Sequence, residues 1–152
     1  MPATSTSHHD TSNKLFFRLF QAVNIIHRTG THALKQFDIS TQQWSVLGAL
    51  SRDGCEGGMT VNELSDYLLV SRQNLTGVLG RMERGGYIAR QVNPRDQRSR
   101  HIILTPRGGE VWKIIQPAIA DFYEASLLEI DEGQQLQTIA LLEDLIGNMK
   151  RP

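Results

Sequence analysis

The chain has 152 residues, 39% hydrophobic and 21% charged, with sixteen Lys and Arg against sixteen Asp and Glu. That length supports one domain with its own core, and the single Cys55 rules out an internal disulfide and fits a reducing compartment. No apolar run approaches the roughly 20 residues of a membrane span, and the polar start MPATSTSHHDTSN lacks an export signal's apolar core, so a cytoplasmic protein is expected.

Residues 1–12 read as a disordered tail on their polarity. Phe16, Leu19, Phe20, Val23 and Ile26 then recur at helical spacing, and with Leu34 and Phe37 they predict a long first helix ending near Gln36. Gly30 sits inside it as a weak point. Ser40 to Gln43 has capping-box spacing and opens a second helix through Trp44, Leu47 and Leu50. Asp53 to Gly58 is a glycine-rich loop, and Thr60 to Glu63 is a second capping box, opening a short helix with Leu64 and Leu68 buried. Ser71 caps a fourth helix whose apolar stripe is Leu75, Val78, Leu79 and Met82, stopped by Gly85-Gly86.

The periodicity then changes. Tyr87 to Val92 and His101 to Leu104 are short and rich in β-branched residues, and they flank the charged segment Asn93 to Ser99 as an antiparallel hairpin. Thr105-Pro106 starts a fifth helix, with an expected bend at Pro117, and Asp131 caps a sixth. The fold class is mainly α with a small β-hairpin wing: six helices, with two strands between the fourth and fifth.

Charge is distributed unevenly over this frame. Between Ser71 and Arg107 stand eight arginines against Glu83 and Asp96, a net +6 that leaves −6 on the rest of the chain. A compact arginine cluster on an otherwise acidic protein is the footprint of something that docks on a polyanion. Helix, short turn, helix and hairpin make a winged helix-turn-helix, whose second helix enters the major groove of double-stranded DNA. Its first turn presents Arg72, Gln73 and Asn74 off the apolar stripe, and these types match guanine and adenine edges. Thr76 and Arg81 lie further along the exposed side, and Ser71 can both cap the helix and bond a phosphate. Arg95, Asp96, Arg98 and Arg100 occupy the wing.

From Thr60 to Arg107 the chain resembles the MarR-type transcriptional regulators. The resemblance rests on VSRQNLTGVLGRMERGGYIAR, on Asp96-Gln97-Arg98-Ser99 as that family's D-x-R-[SA] wing signature, and on Leu104 to Gly108 entering the fifth helix. It implies an obligate homodimer on a pseudo-palindromic operator, acting as a repressor. Residues 13–152 would form a single unit, with 40–104 as the DNA-binding lobe and 13–37 plus 105–150 as dimerisation helices. It also implies that Arg98 enters the minor groove and that Asp96 orients basic side chains at the wing base. Independently of kinship, the apolar stripes at both ends of the chain need a partner surface.

The resemblance further implies an aromatic carboxylate or phenolic effector, or a related thioester. Arg18, His27, Arg28 and His32 on the first helix and Trp44 on the second are the candidate contacts, since arginine beside aromatic groups suits a benzoate-like acid. Arg28 and His32 equally fit a solvated helix face, and Trp44 equally fits the core. A redox switch at Cys55 is an alternative that its acidic neighbours Asp53 and Glu56 do not favour. An architectural DNA binder without a ligand pocket is another. His8, His9, His27, His32 and His101 show no metal-ligand spacing. No phosphate loop, nucleophile elbow or H-E-x-x-H motif supports an enzyme or a cofactor site.

Overall fold

The computed structural model describes residues 4–93 and 95–152. Residues 1–3 of the expected tail and Pro94 of the expected hairpin tip lie outside them. Eight principal elements follow in order: α1 (Thr4–Leu34), α2 (Thr41–Leu50), α3 (Val61–Leu68), α4 (Arg72–Arg84), β1 (Ile88–Asn93), β2 (Asp96–Leu104), α5 (Pro106–Ser126) and α6 (Glu132–Met149). A 3-10 turn, Lys35–Phe37, finishes α1. No helix of the described residues is long and apolar enough to cross a membrane.

The tail expected over residues 1–12 is helical from Thr4 onward. The physical reason is propagation: once the apolar stripe nucleates α1, each added residue gains a hydrogen bond, and no Gly or Pro interrupts residues 4–29. Gly30 is not a weak point either. It is buried, and a Cβ there would stand 2.9 Å from Thr41 Cγ2, so the bare backbone lets the start of α2 press against α1.

The caps hold as read. Ser40, Thr60 and Asp131 each form a complete capping box, and Ser71 Oγ accepts from Asn74 N at 3.2 Å. Thr105 caps α5, its Oγ1 accepting from Gly108 N while its own hydroxyl donates to Gly86 O. Gly108 has to be glycine, because a Cβ would fall 2.0 Å from Tyr87 O. That close approach locks the start of α5 onto the root of the wing. α5 then runs without interruption through Pro117.

Val46 and Leu47 of α2, Leu64 of α3, Leu79 and Met82 of α4, Ile88 of β1, Ile102 of β2 and Ile115 of α5 are fully buried. Each such side chain contributes about 1.5–3 kcal/mol of burial. Met59 joins the hairpin as a short third rung, its backbone exchanging hydrogen bonds with Ile102. The chain divides into two units at Ile119, residues 1–119 and 120–152. By contacts within the chain, α1 and the first two thirds of α5 group with the winged lobe.

Both units leave apolar surface open. Phe16, Phe17, Phe20, Val23, Ile25 and Ile26 of α1 are exposed, with Phe17 at 69%. In the second unit α6 buries no residue, and Leu136, Ile139, Leu141 and Met149 are exposed.

Candidate nucleic-acid interface

The turn between α3 and α4 contains no glycine, yet Leu69 adopts the left-handed conformation at φ 55°. Three bonds hold it there: Leu69 N and Val70 N both reach Ser65 O, and Ser65 Oγ donates to Val70 O at 2.7 Å. That closure fixes the angle at which α4 leaves α3. Leu75, Val78, Leu79 and Met82 bury one side of α4, and Arg72, Gln73, Asn74, Thr76 and Arg81 are exposed on the rest.

Not all of these groups keep free valences. Ser71 Oγ accepts the Asn74 amide, which leaves its proton available for an anion. Thr76 Oγ1 donates back to Arg72 O at 2.7 Å, so its methyl is what remains to offer outward. No ion pair holds Arg72, Arg81 or Arg84 among the described residues. Arg90, counted in the +6 cluster, is tied up: its Nε lies 2.9 Å from Glu83 Oε2 and pins β1 to α4. Arg107 stands over the Tyr87 ring, 5.2 Å from its centroid.

The hairpin differs from expectation at its tip. Strand β2 begins at Asp96 and not near His101, and the register jumps from Val92↔Arg100 to Asn93↔Asp96. Gln97, Arg98 and Ser99 therefore have no partner across the ladder. Two short side-chain-to-backbone turns build this bulge: Asn93 Oδ1 accepts from Arg95 N, and Asp96 Oδ1 accepts from Arg98 N, each at 3.0 Å. Asp96 thus holds the backbone of Arg98. Among the described residues its carboxylate makes no ion pair with a basic side chain, the form of support expected from the family pattern. His101 anchors the hairpin from behind, Nδ1 lying 3.1 Å from Gly57 O.

These pieces meet in a groove of about 430 Å³ lined by Thr60, Val61, Asn62, Arg72, Asp96, Arg98, Ser99 and Arg100. It draws together the first turns of α3 and α4 and the wing, with three guanidinium groups against one carboxylate. Asn62 was not singled out from the sequence, because a lone asparagine inside a capping box carries no charge or period to mark it. Chemically the groove can hold a phosphodiester, while the exposed first turn of α4 can reach base edges.

The five sequence-derived ligand candidates do not converge. Arg18 Nη1 bonds Gln21 Oε1 on its own helix at 2.7 Å, and Arg28 and His32 are exposed on α1. His27 Nδ1 lies 2.6 Å from Thr41 Oγ1, joining α1 to α2. Trp44 lines a hollow of about 250 Å³ with Ser45, Gly48, Ala49, Tyr67 and Leu68. Its lining is almost wholly apolar apart from Ser45 and the Tyr67 hydroxyl. Arg52 stacks on Tyr67, with Cζ 3.5 Å from the ring centroid, and its Nη2 stands 3.6 Å from Cys55 Sγ. Cys55 thus has a guanidinium beside it as well as the acids adjacent in sequence.

Comparison with known proteins places this geometry. The sequence model of the MarR family matches residues 37–99. The chain is 46% identical to the transcriptional activatory protein BadR of Rhodopseudomonas palustris over 141 residues, 92% of this chain and 81% of that one. It is 29% identical to the homoprotocatechuate degradative operon repressor of Escherichia coli over 120 residues, 78% and 79% of the two chains. The crystal structure of NadR in complex with 4-hydroxyphenylacetate matches with a TM-score of 0.72 at 26% identity, covering 85% of this chain and 89% of that one.

Proposed function

The chain belongs to the MarR family and is a transcriptional regulator, not an enzyme, and from that premise we propose that it acts as a homodimer on a pseudo-palindromic operator and answers to a small aromatic acid. The observation that carries the DNA-binding face is the groove in which Arg72, Arg98 and Arg100 stand together with no ion pair among the described residues. Ser71, Arg72, Arg95, Arg98 and Arg100 hold the backbone in this reading, and Gln73, Asn74 and the Thr76 methyl read bases. Asp96 acts by fixing Arg98. The exposed apolar faces of α1 and α6 support the dimer. A second copy covers them and sets two recognition helices about one helical turn, roughly 10 base pairs, apart.

The effector reading rests on the Trp44–Tyr67 hollow, on a relative named as the homoprotocatechuate degradative operon repressor, and on a structural neighbour solved in complex with 4-hydroxyphenylacetate. The aryl ring lies against Trp44 and Tyr67. Arg52, already stacked on Tyr67, is the cation set against that wall, and Arg18 of α1 is the alternative partner for the carboxylate. Repression is what the family resemblance implies, and the residues themselves leave repression or activation open. The 46% identical relative is an activatory protein, which favours activation by an operator placed upstream of the promoter.

One experiment tests the DNA-binding core of this proposal: operator selection from genomic fragments, then sedimentation and affinity on the selected site. Two chains per operator are expected. Gln73→Ala or Asn74→Ala should cost about 1–3 kcal/mol on the cognate site and leave random DNA almost unaffected. One chain per site, or equal losses on both DNAs, would sink it.

A further inference from the structure

We propose that a second cationic groove, at the opposite end of α4 from the wing tip, seats a phosphate of the DNA backbone through Lys35 and Arg81. This rests on the DNA-binding reading above and adds to it Lys35, which lies outside the winged module. The groove has a volume of about 530 Å³ and is formed where the end of α1, the first turn of α2, the last turn of α4 and the root of β1 meet. Ile39 and Gly85 line it beside Tyr87, and Lys35 and Arg81 line it with Asp38 as the single acid. Both cations are exposed, and neither makes an ion pair or side-chain hydrogen bond among the described residues. Arg81 Nη1 lies beside Gly77, 3.9 Å from where a Cβ would stand there, so no side chain at that neighbouring position of the helix covers the guanidinium.

Length decides what reaches this groove. The thirteen residues of α4 span about 20 Å at 1.5 Å per residue, whereas the major groove is about 12 Å wide. Laid across the groove, a helix longer than the groove is wide brings its two ends up to the two sugar–phosphate walls. Arg72 meets one wall beside the wing. Arg81 and Gly85 meet the other, where Lys35 waits. Two cations on different elements suit a tetrahedral oxyanion approached from more than one direction. Lys35 stands at the end of α1, so this contact ties the proposed dimerisation helix directly to the operator.

The test is the salt dependence of binding to cognate and random DNA by Lys35→Gln, Arg81→Gln and Asp38→Asn, with Arg98→Ala as control. Each glutamine should reduce the slope of log K against log salt by about 0.9 on both DNAs, so affinity falls about 3–4-fold less between about 50 and 200 mM salt. Asp38→Asn should tighten both. Asparagine tolerates the left-handed conformation that Asp38 adopts at φ 55°, so the backbone is preserved and only the charge goes. Thermal melts should stay unchanged, since all three side chains are exposed. Unchanged slopes for Lys35→Gln and Arg81→Gln alongside a reduced slope for Arg98→Ala would overturn this seat and leave the wing face standing. An unchanged slope in all three would overturn both.

Discussion

Glycine inside a helix costs stability, so each one in α4 calls for a reason. Just past its end Gly85 has one, since a Cβ there would crowd the Tyr87 ring at 3.1 Å, whereas inside it Gly80 has only Arg84 Nη1 beside its missing Cβ, at 3.5 Å. Gly77 has none within the chain, because the nearest atom to its missing Cβ is a flexible Arg81 nitrogen at 3.9 Å. Gly77 lies on the face opposite the Leu75–Met82 stripe, one turn beyond Gln73 and one before Arg81. A bare backbone there lets α4 settle deeper against base edges. Gly77→Ala should therefore stabilise the free protein by about 1 kcal/mol, raising Tm by about 2–4 °C, while weakening cognate DNA binding severalfold. A variant that is more stable and binds equally well would show that the glycine serves no close approach. Residue-level pairing was the part least visible beforehand. Arg90 counted toward the basic cluster in sequence, yet it is paired with Glu83 seven residues earlier, a contact that exists only once β1 folds back along α4.

The wing shows how an element can mislead when read by pattern alone. Its strands were legible where β-branched residues alternate, but β2 extends five residues further toward the tip, through Asp96-Gln97-Arg98-Ser99-Arg100. Charged residues carry no strand signal, and the register there is set by the Asn93 and Asp96 side chains capping nearby amides. That gives Asp96 a testable sign. As a bare negative charge it opposes DNA, so its removal should tighten binding. As the acceptor that holds Arg98 N, its removal should loosen the tip and weaken binding. We expect Asp96→Ala to bind several-fold more weakly and Asp96→Asn, which keeps the acceptor and loses the charge, to bind at least as tightly as wild type. Weaker binding by Asp96→Asn would mean the charge itself is needed. Helix starts, by contrast, were legible at Ser40, Thr60, Ser71 and Asp131, because a cap is made within four residues. The start of α1 was not, since a long helix can extend through any stretch that merely lacks a breaker. The hollow at Trp44 was half legible: the tryptophan stood out, but Tyr67 joins it only through the packing of α3 on α2.

At the scale of the whole molecule the charge asymmetry and the effector hollow bear on the same equilibrium. Residues 120–152 carry seven acids against two bases, a net −5, so in the proposed complex this unit is repelled by the polyanion that the wing attracts. In the proposed homodimer, DNA selects the arrangement that sets both α4 helices in successive major grooves. A ligand wedged between α2 and α3, the helix whose turn fixes α4, changes DNA affinity only by favouring one arrangement over another. Linkage then requires DNA to weaken the ligand by the factor by which the ligand weakens DNA, commonly about 5–150-fold, or roughly 1–3 kcal/mol. The first measurement is a thermal-shift titration with 4-hydroxyphenylacetate, benzoate and their thioesters, in which a true effector raises Tm progressively with concentration. The effector found should bind the protein–operator complex more weakly than the free protein by the same factor that it lowers operator affinity. Trp44→Ala should lose the ligand response while keeping DNA affinity within a few-fold, because Trp44 is only half-buried and does not line the cationic groove beside the wing. Arg18→Ala then decides the carboxylate contact: a lost response assigns it to α1, and a normal response assigns it to Arg52. A Trp44→Ala variant that responds normally would remove the effector from this hollow altogether.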